Sequence, residues 1–214
     1  MPRRTLVLAS RSPARLALLR AAGFAPHVVV SGVPEDHDDG SAADVALTLA
    51  ERKASAVADR LLAGDAAGTE GGPAGPAPPA LVLGCDSVLE VDGELRGKPS
   101  SAAEARRWWR SQRGREGTLV TGHAVVDTAT DRRASDVAAT VVRFGTPTDD
   151  EIDAYVATGE PLHVAGGFTL DGYAAPFVDG IRGDHGTVIG VSPPLLRRLL
   201  ADVGIAITDL WDLP

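Results

Sequence analysis

The residues best suited to chemistry lie between positions 81 and 99. The apolar run 81–85 predicts a strand buried on both faces, and Asp86 follows at its end. A second short strand, 88–91, closes on an Asp-Gly turn. An ionised carboxylate at the end of a buried strand is costly unless a cation, a metal or hydrogen-bond donors compensate it. Asp86 therefore requires a partner.

Lys98 is a candidate for that partner. It lies between Gly97 and Pro99, which restricts the backbone near the return of the predicted hairpin and allows the ammonium group to face the strand end. A carboxylate, a lysine and glycines that permit close approach are what a site for a metal and phosphates needs. The same pair also fits a structural ion pair at the rim of a sheet, and both interpretations stay open.

A second candidate site lies near the start of the sequence. A strand is predicted at 5–9, and Ser12-Pro13 then begins a helix, with Ser12 as the N-cap. The free amides of a first helical turn bind anions, and Arg11 and Arg15 add positive charge there. Ser-Pro is also a common helix start, so the pattern taken alone favours simple capping over an anion site.

Two further charged groups could reach such a site. A strand predicted at 28–31 is followed by the acidic run 35–39, in which Glu35 is nearest the strand end and best placed to reach a metal. A helix predicted over 41–62 carries Lys53. Acidic runs and helical lysines are usually only solvated, which is the alternative at both positions.

The remaining patterns predict the elements that hold these side chains in a single α/β domain over 1–214. Gly122 interrupts a predicted strand, which indicates a bulge or a close approach to a ligand. Residues 64–80 are a low-complexity loop insert. The predicted helices are 100–112, 149–158 and 193–203, and the predicted strands are 117–128, 133–145, 166–172, 184–191 and 205–207.

Composition excludes several classes of protein. The 214 residues carry a net charge of −8, which disfavours a protein that wraps nucleic acid. One cysteine, Cys85, excludes an internal disulfide and multi-cysteine zinc sites, and we expect it to be a buried, inert thiol. There is no phosphate-binding P-loop, Rossmann glycine pattern or His-Glu-x-x-His motif. No secretory signal or apolar membrane span is evident, so we expect a cytoplasmic protein.

Six ordered segments together resemble the Maf family of nucleoside triphosphate pyrophosphatases. They are 9–19 (ASRSPARLALL), 49–54 (LAERKA), 84–87 (GCDS), 92–94 (DGE), 97–99 (GKP) and 165–172 (AGGFTLDG). The resemblance implies an α/β fold with a mixed, twisted central sheet flanked by helices, similar to that of inosine triphosphate pyrophosphatase. It also implies a cytoplasmic, often dimeric enzyme that uses Mg²⁺ or Mn²⁺ to cleave a nucleoside triphosphate to the monophosphate and pyrophosphate. The family is linked to clearing modified nucleotides and to arrest of septum formation.

The resemblance also implies roles for individual residues. Asp86 matches the family's catalytic acid, described as the proton acceptor, and Lys98 matches the lysine of its Gly-Lys-Pro motif. Glu35 matches the acid after the second strand and would share a metal with Asp86. The positions matched to substrate binding are Ser10, Ser12, Arg15, Lys53, Ser87 and Asp171.

Some positions depart from the family's pattern. Members that resemble pyrimidine-triphosphate enzymes have Arg, Thr and Gln where this sequence has Ala14, Ser87 and Asp171, and the usual lysine before the Ala-Gly pair is Val164. An acid at 171 is closer to members that prefer 7-methylguanosine triphosphate, whose positively charged base a carboxylate would attract. Two alternatives also remain: a low-turnover nucleotide-binding regulator of cell division, and a sugar-nucleotide or phosphate-monoester hydrolase that releases orthophosphate.

Overall fold

A mixed β-sheet with helices on both faces is built by residues 4–35, 40–65, 76 and 78–212, which the computed structural model describes. The strands are β1 (Thr5–Leu8), β2 (His27–Val28), β3 (Ala80–Val91), β4 (Glu94–Arg96), β5 (Glu116–Asp127), β6 (Arg132–Phe144) and β7 (Val178–Arg182). The α-helices are α1 (Pro13–Ala21), α2 (Ala42–Leu62), α3 (Ala102–Gln112), α4 (Asp149–Ala157), α5 (His185–Ile189) and α6 (Pro193–Asp202). Short 3₁₀ helices occupy Glu160–His163, Ala165–Gly167, Ala175–Phe177 and Ile207–Leu210.

The strand order is β2-β1-β3-β5-β6-β7, and β4 pairs with β3. β1 runs parallel to β2 and β3, whereas the β3–β5, β5–β6 and β6–β7 pairs are antiparallel. This topology confirms the predicted α/β class with a mixed central sheet flanked by helices. The helix predictions near 13, 41–62, 100–112, 149–158 and 193–203 and the long antiparallel pair are also confirmed.

The side chains of β3 alternate between two cores. Leu81, Leu83 and Cys85 pack with α1 and α6, whereas Val82 packs with α2. Because successive side chains of a strand point to opposite faces, Asp86 faces α2 and Ser87 faces α1. This alternation decides which of the predicted site residues can meet.

The sequence predicted that Asp86 follows the end of a strand, and this prediction was wrong. β3 continues through it to Val91, because β5 pairs with β3 from Leu81 to Glu90 without interruption. The carboxylate is tolerated inside a strand because a lysine from α2 compensates its charge. The two predicted strands 81–85 and 88–91 are therefore one.

Several shorter predictions were wrong. Residues 166–172 form a 3₁₀ turn and a loop because Gly166 and Gly167 both have positive φ. Residues 184–191 form α5, whose first amides donate to the side chain of Asp184. The terminal strand at 205–207 is replaced by the 3₁₀ helix Ile207–Leu210, and the strand at 28–31 is only the two-residue β2. Most of the loop insert at 64–80 lies outside the described residues.

Gly84 and Gly122 allow α2 to lie directly against the sheet. A Cβ atom at Gly84 would overlap the carbonyl oxygen of Ala50, and one at Gly122 would overlap that of Ala46. Gly122 pairs in regular register with Asp86, so it does not mark a bulge, and its Cα faces the backbone of this helix. The contact sets the depth at which α2 presents Lys53 to β3.

No helix in the described ranges is long and apolar enough to cross a membrane.

His123 is a fully buried histidine on β5 that fixes the start of α6. Its Nδ1 lies 3.0 Å from the carbonyl oxygen of Thr121, and the backbone N–H of Ser192 donates to its Nε2 at 2.8 Å. Because Nε2 accepts a hydrogen bond, the ring is neutral with its proton on Nδ1. Burial lowers the pKa of His123 from 6.5 to about 4.

The depressed pKa of His123 predicts acid destabilisation. Between pH 6.5 and pH 4 the unfolded chain binds a proton at this ring that the folded protein does not. The free energy of unfolding therefore decreases as the pH is lowered through this range, by about 3 kcal/mol in total. In the variant His123→Gln we expect lower stability at pH 7 and a shallower loss on acidification. Urea unfolding at pH 7 and pH 4.5 measures this, and equal losses in both proteins would contradict it.

The close approach of α2 predicts that Gly122→Ala is strongly destabilising. The added methyl group meets backbone rather than a movable side chain, so we expect a loss of about 2–3 kcal/mol in the free energy of unfolding. Gly40→Ala is a matched control, because among the described residues its Cβ would meet only the Asp44 side chain, at 3.3 Å, and it should change stability by less than about 0.5 kcal/mol. Denaturant unfolding compares them, and similar effects would contradict the packing argument.

Candidate functional site

Asp86 and Lys53 form a buried ion pair between β3 and α2. The Nζ atom of Lys53 donates to Oδ1 of Asp86 at 2.6 Å, and the two side chains are only 5% and 9% exposed. Within the described part of the chain no donor contacts the second carboxylate oxygen of Asp86. One oxygen of this carboxylate is therefore neutralised while the other is open to a proton or a cation.

Glu35 extends the pair into a line of four alternating charges. One of its carboxylate oxygens accepts from Lys53 at 2.7 Å, and the other accepts from Lys98 at 2.5 Å. Partial burial raises the pKa of Glu35, but the hydrogen bonds and charges of the two lysines outweigh it and lower the pKa from 4.5 to about 2. We call Asp86, Lys53, Glu35 and Lys98 the charge chain.

The exposed end of the charge chain is held by contacts from the aromatic core. The Trp109 ring is fully buried, and its Nε1 donates to the carbonyl oxygen of Gly167 at 2.8 Å. The N–H of Gly166 in turn donates to the carbonyl oxygen of Gly97 at 2.9 Å, which fixes the backbone just before Lys98. The Lys98 side chain remains 49% exposed, so it can adjust to a ligand.

Arg15 lies on the opposite face of β3 and organises a second group. Its guanidinium donates to the carbonyl oxygens of Cys85 and Gly190, each at 2.9 Å, and to the hydroxyls of Ser10 at 3.1 Å and Ser87 at 3.0 Å. These contacts use four of its five N–H donors. Arg15 therefore ties the β1–α1 loop, β3 and the end of α5 together and retains one donor for a ligand.

Ser10 and Ser12 shape the loop that begins α1. The backbone N–H of Ser12 donates to Oγ of Ser10, and Oγ of Ser12 accepts from the backbone N–H of Arg15 as the helix N-cap. The predicted cap is thus confirmed. Its hydroxyl is engaged in holding the helix start.

Asp171 lies apart from both groups. It is exposed, in the loop between the 3₁₀ helices Ala165–Gly167 and Ala175–Phe177, and has no described contact to the charge chain. Glu160 shapes this loop by accepting from the hydroxyl of Thr169 at 2.6 Å and from the backbone N–H of Tyr173 at 3.1 Å. No sequence pattern indicates this role of Glu160.

Thr121 was also missed by sequence reasoning. Its hydroxyl lies 2.8 Å from that of Ser87 and donates to the carbonyl oxygen of Thr187 at 2.8 Å. Only the pairing of Ser87 with Thr121 across β3 and β5 reveals this contact. A threonine in an apolar strand carries no such signal in the sequence.

Cys85 is the inert thiol that the sequence predicted. It is fully buried, and burial raises the pKa of its thiol to about 12. A thiol with so high a pKa supplies almost no thiolate at neutral pH. Nucleophilic chemistry at this residue is therefore disfavoured.

The donor set suits a hard divalent cation that takes few ligands from the protein. Asp86 and Glu35 offer carboxylate oxygens, and Mg²⁺ is commonly held by one or two carboxylates together with substrate phosphates and water. No cluster of three or more His, Cys, Asp or Glu side chains occurs in the described ranges, from which 36–39 are missing. The residues present fit a metal whose remaining ligands come from a bound polyphosphate.

Comparison with known proteins places the chain in a family. The sequence model of the family described as "Maf-like protein" matches residues 5–203. A relative from Streptomyces coelicolor is 61% identical over 98% of this chain and 96% of its own length, and one from Streptomyces avermitilis is 58% identical over the same shares. One from Salinispora tropica is 52% identical over 96% of this chain and 87% of its own length. All three bear the name "Nucleoside triphosphate pyrophosphatase". The chain belongs to the Maf-like protein family.

Proposed function

We propose that this protein hydrolyses a nucleoside triphosphate to the nucleoside monophosphate and pyrophosphate with the help of a divalent cation. The observation that carries the proposal is the charge chain, in which two lysines and two carboxylates meet between β3, α2 and the loop after β4. The name shared by relatives up to 61% identical along nearly the whole chain supports the same reaction.

The two lysines suit the binding of phosphates. Lys53 is buried with a fixed ammonium group, and Lys98 is half exposed and free to follow the ligand. Cleavage between the α- and β-phosphates builds up negative charge, which positioned cations stabilise. Lys53 and Lys98 would supply that stabilisation from two sides.

Asp86 would act as the general base. Its contact with Lys53 orients the carboxylate, and its second oxygen is open to accept a proton from the attacking water. Mg²⁺ or Mn²⁺, held by Asp86 and Glu35, would neutralise charge on the phosphates and lower the pKa of bound water. Ser10, Ser12 and Arg15 would present the start of α1 to phosphate oxygens, with Arg15 mainly positioning the loop.

Glu35 would compete with the substrate's phosphates for the two lysines. Both of its carboxylate oxygens contact the ammonium groups that the substrate would use. A triphosphate must therefore displace Glu35 from Lys53 and Lys98, and the released carboxylate becomes available to the cation. Substrate binding and metal binding are linked through this exchange.

The proposal extends to the nucleotide base that the protein prefers and to its role in the cell. Ser87 and Asp171 are the candidate determinants of the base, and the carboxylate of Asp171 would favour a positively charged base such as 7-methylguanine. We further propose a cytoplasmic homodimer that clears modified nucleotides. A low-turnover regulator of cell division would not require an open carboxylate oxygen at Asp86, and a phosphomonoester or sugar-nucleotide hydrolase would release different products.

The reaction is tested by product identification with Asp86→Asn. On a panel of triphosphates that includes 7-methylguanosine triphosphate, with Mg²⁺ or Mn²⁺, we expect the wild type to release pyrophosphate. Loss of the base should lower kcat at least about 100-fold. Asp92→Asn, in an exposed turn where Asn tolerates the positive φ, is the matched control and should keep activity. Orthophosphate as the product, or full turnover by Asp86→Asn, would contradict the proposal.

The exchange at Glu35 is tested by binding of pyrophosphate without metal. In the presence of EDTA, Glu35→Gln removes the anion that competes for the two lysines, so we expect pyrophosphate to bind about tenfold more tightly, or by about 1.4 kcal/mol. With metal present, the same variant should lose activity. Calorimetry measures the affinity, and Glu116→Gln, an exposed acid on β5, is the control. Unchanged or weaker pyrophosphate binding by Glu35→Gln would show that Glu35 does not hold the phosphate position.

A further inference from the structure

The strand β3 has a gap along one of its two sides. On that side β1 pairs with Ala80 to Leu83 and β4 pairs with Leu89 to Val91, and no strand in the described ranges pairs with residues 84–88. On the other side β5 pairs with the same residues without interruption. We call the space beside residues 84–88, between the ends of β1 and β4, the β3 gap.

The backbone groups that point into the β3 gap belong to the odd-numbered residues. The N–H of Ala9 donates to the carbonyl oxygen of Leu83 on the β1 side, whereas the N–H of Thr128 donates to that of Ala80 on the β5 side. Both backbone groups of a strand residue point the same way, and the direction alternates along the strand. Cys85 and Ser87 therefore face the gap.

The two backbone groups of Ser87 have no partner in the described part of the chain. The carbonyl oxygen of Cys85 accepts from Arg15 at 2.9 Å, but neither the N–H nor the carbonyl oxygen of Ser87 takes part in a hydrogen bond there. Ser87 is also the one residue of 80–89 that is not buried. Backbone polar groups inside a sheet are nearly always paired, so this N–H and C=O are open to a ligand.

The hydroxyl of Ser87 can only accept a hydrogen bond from such a ligand. The hydroxyl of Thr121 donates its single proton to the carbonyl oxygen of Thr187 at 2.8 Å. In the 2.8 Å contact between the two hydroxyls Ser87 must therefore be the donor. The Ser87 oxygen also accepts from Arg15 at 3.0 Å, which leaves one lone pair and no proton.

We propose that the β3 gap binds the base of the nucleotide and that this base is guanine or N7-methylated guanine. The inference rests on the proposed function, which supplies the nucleotide. Ser87 offers one donor, its N–H, and two acceptors, its carbonyl and hydroxyl oxygens. The Watson–Crick edge of guanine has the complementary set, with O6 as the acceptor and N1–H and the 2-amino group as donors. Uracil and cytosine have only one donor group on this edge, and hypoxanthine lacks the amine.

The neighbours of the β3 gap suit a nucleotide bound in this orientation. Asp86 of the charge chain precedes Ser87, and Ser10 and Lys98 each lie two residues beyond the strand that flanks the gap. The oxygen of Ser10 accepts from a backbone N–H and from Arg15, so its proton is left to donate. Ser10 therefore suits a phosphate oxygen, and Ser87 suits the N–H groups of a base.

Thr121 is a positioning residue in this arrangement. It lies behind Ser87 and holds the proton of that hydroxyl away from the gap. With valine at position 121 the Ser87 hydroxyl could turn and donate instead. The preference for a base with an amino group at this point would then be lost.

The backbone contact is tested by amide hydrogen exchange, followed by nuclear magnetic resonance on the full-length protein. Without ligand we expect the N–H of Ser87 to exchange at least about 100-fold faster than that of Val88, which faces β5. Saturating guanosine monophosphate should slow the exchange at Ser87 at least about tenfold, whereas pyrophosphate, which has no base, should not. A Ser87 amide as protected as that of Val88, or one that guanosine monophosphate leaves unchanged, would overturn the proposal.

The base preference is tested by the affinities of three monophosphates. Inosine monophosphate lacks the amino group that donates to the Ser87 hydroxyl, and 1-methylguanosine monophosphate lacks the N1–H that donates to the Ser87 carbonyl oxygen. We expect each to bind at least about tenfold more weakly than guanosine monophosphate. Equal affinities of the three would overturn the choice of guanine.

The role of Thr121 is tested by a double-mutant cycle. Thr121→Val and Ser87→Ala should each bring the affinities of guanosine and inosine monophosphate to within about twofold of each other, and Thr121→Ser should keep the preference. In the double variant Thr121→Val should add nothing, because it acts through Ser87. Thr118→Val, on the same strand, is the control, and circular dichroism checks folding. A preference that survives Thr121→Val would overturn this role.

These measurements separate the inference from the proposed hydrolysis. A protein that releases no pyrophosphate but protects the Ser87 amide with guanosine monophosphate would refute the hydrolysis and keep the base site. A protein that releases pyrophosphate while the Ser87 amide stays unprotected would refute the base site and keep the hydrolysis.

Discussion

The ammonium group of Lys53 is the constraint on which the candidate site depends. It is almost fully buried and lies between two carboxylates, those of Asp86 and Glu35, which compensate its charge. Its depth is set by backbone, since two glycines in adjacent strands leave no side chain between α2 and the sheet. The ammonium group is therefore held at a fixed position between a strand carboxylate and a loop carboxylate.

Successive side chains of β3 point to opposite faces of the sheet and so make different contacts. Asp86 accepts from Lys53 of α2, while its neighbour Ser87 accepts from Arg15 on the other face. Four of the five N–H donors of Arg15 are used in hydrogen bonds within the protein, and these bonds link the β1–α1 loop, β3 and α5. Two residues adjacent in sequence therefore have different roles. One face of β3 carries the ion pairs, and the other carries the hydrogen bonds that hold neighbouring elements together.

Much of the site could be predicted from the sequence, because its signals are local. Asp86 after an apolar run, the Ser12 cap and the Gly97-Lys98-Pro99 return are each visible in a few residues. The errors arose where long-range contacts decide the structure. β3 continues past Asp86 because Lys53 compensates the carboxylate, and Gly122 marks the approach of α2 rather than a bulge. Thr121 and Glu160 were missed because their partners lie on other elements. Asp171 lies in an exposed loop and has no described contact to the charge chain.

The most direct measurement is a crystal structure with Mg²⁺ and a nucleoside triphosphate analogue whose α–β bridge cannot be hydrolysed. The account predicts that the phosphates contact Lys53 and Lys98, that Glu35 has left both lysines and that the cation lies against Asp86. A nucleotide bound elsewhere, with Glu35 still between the two lysines, would contradict it.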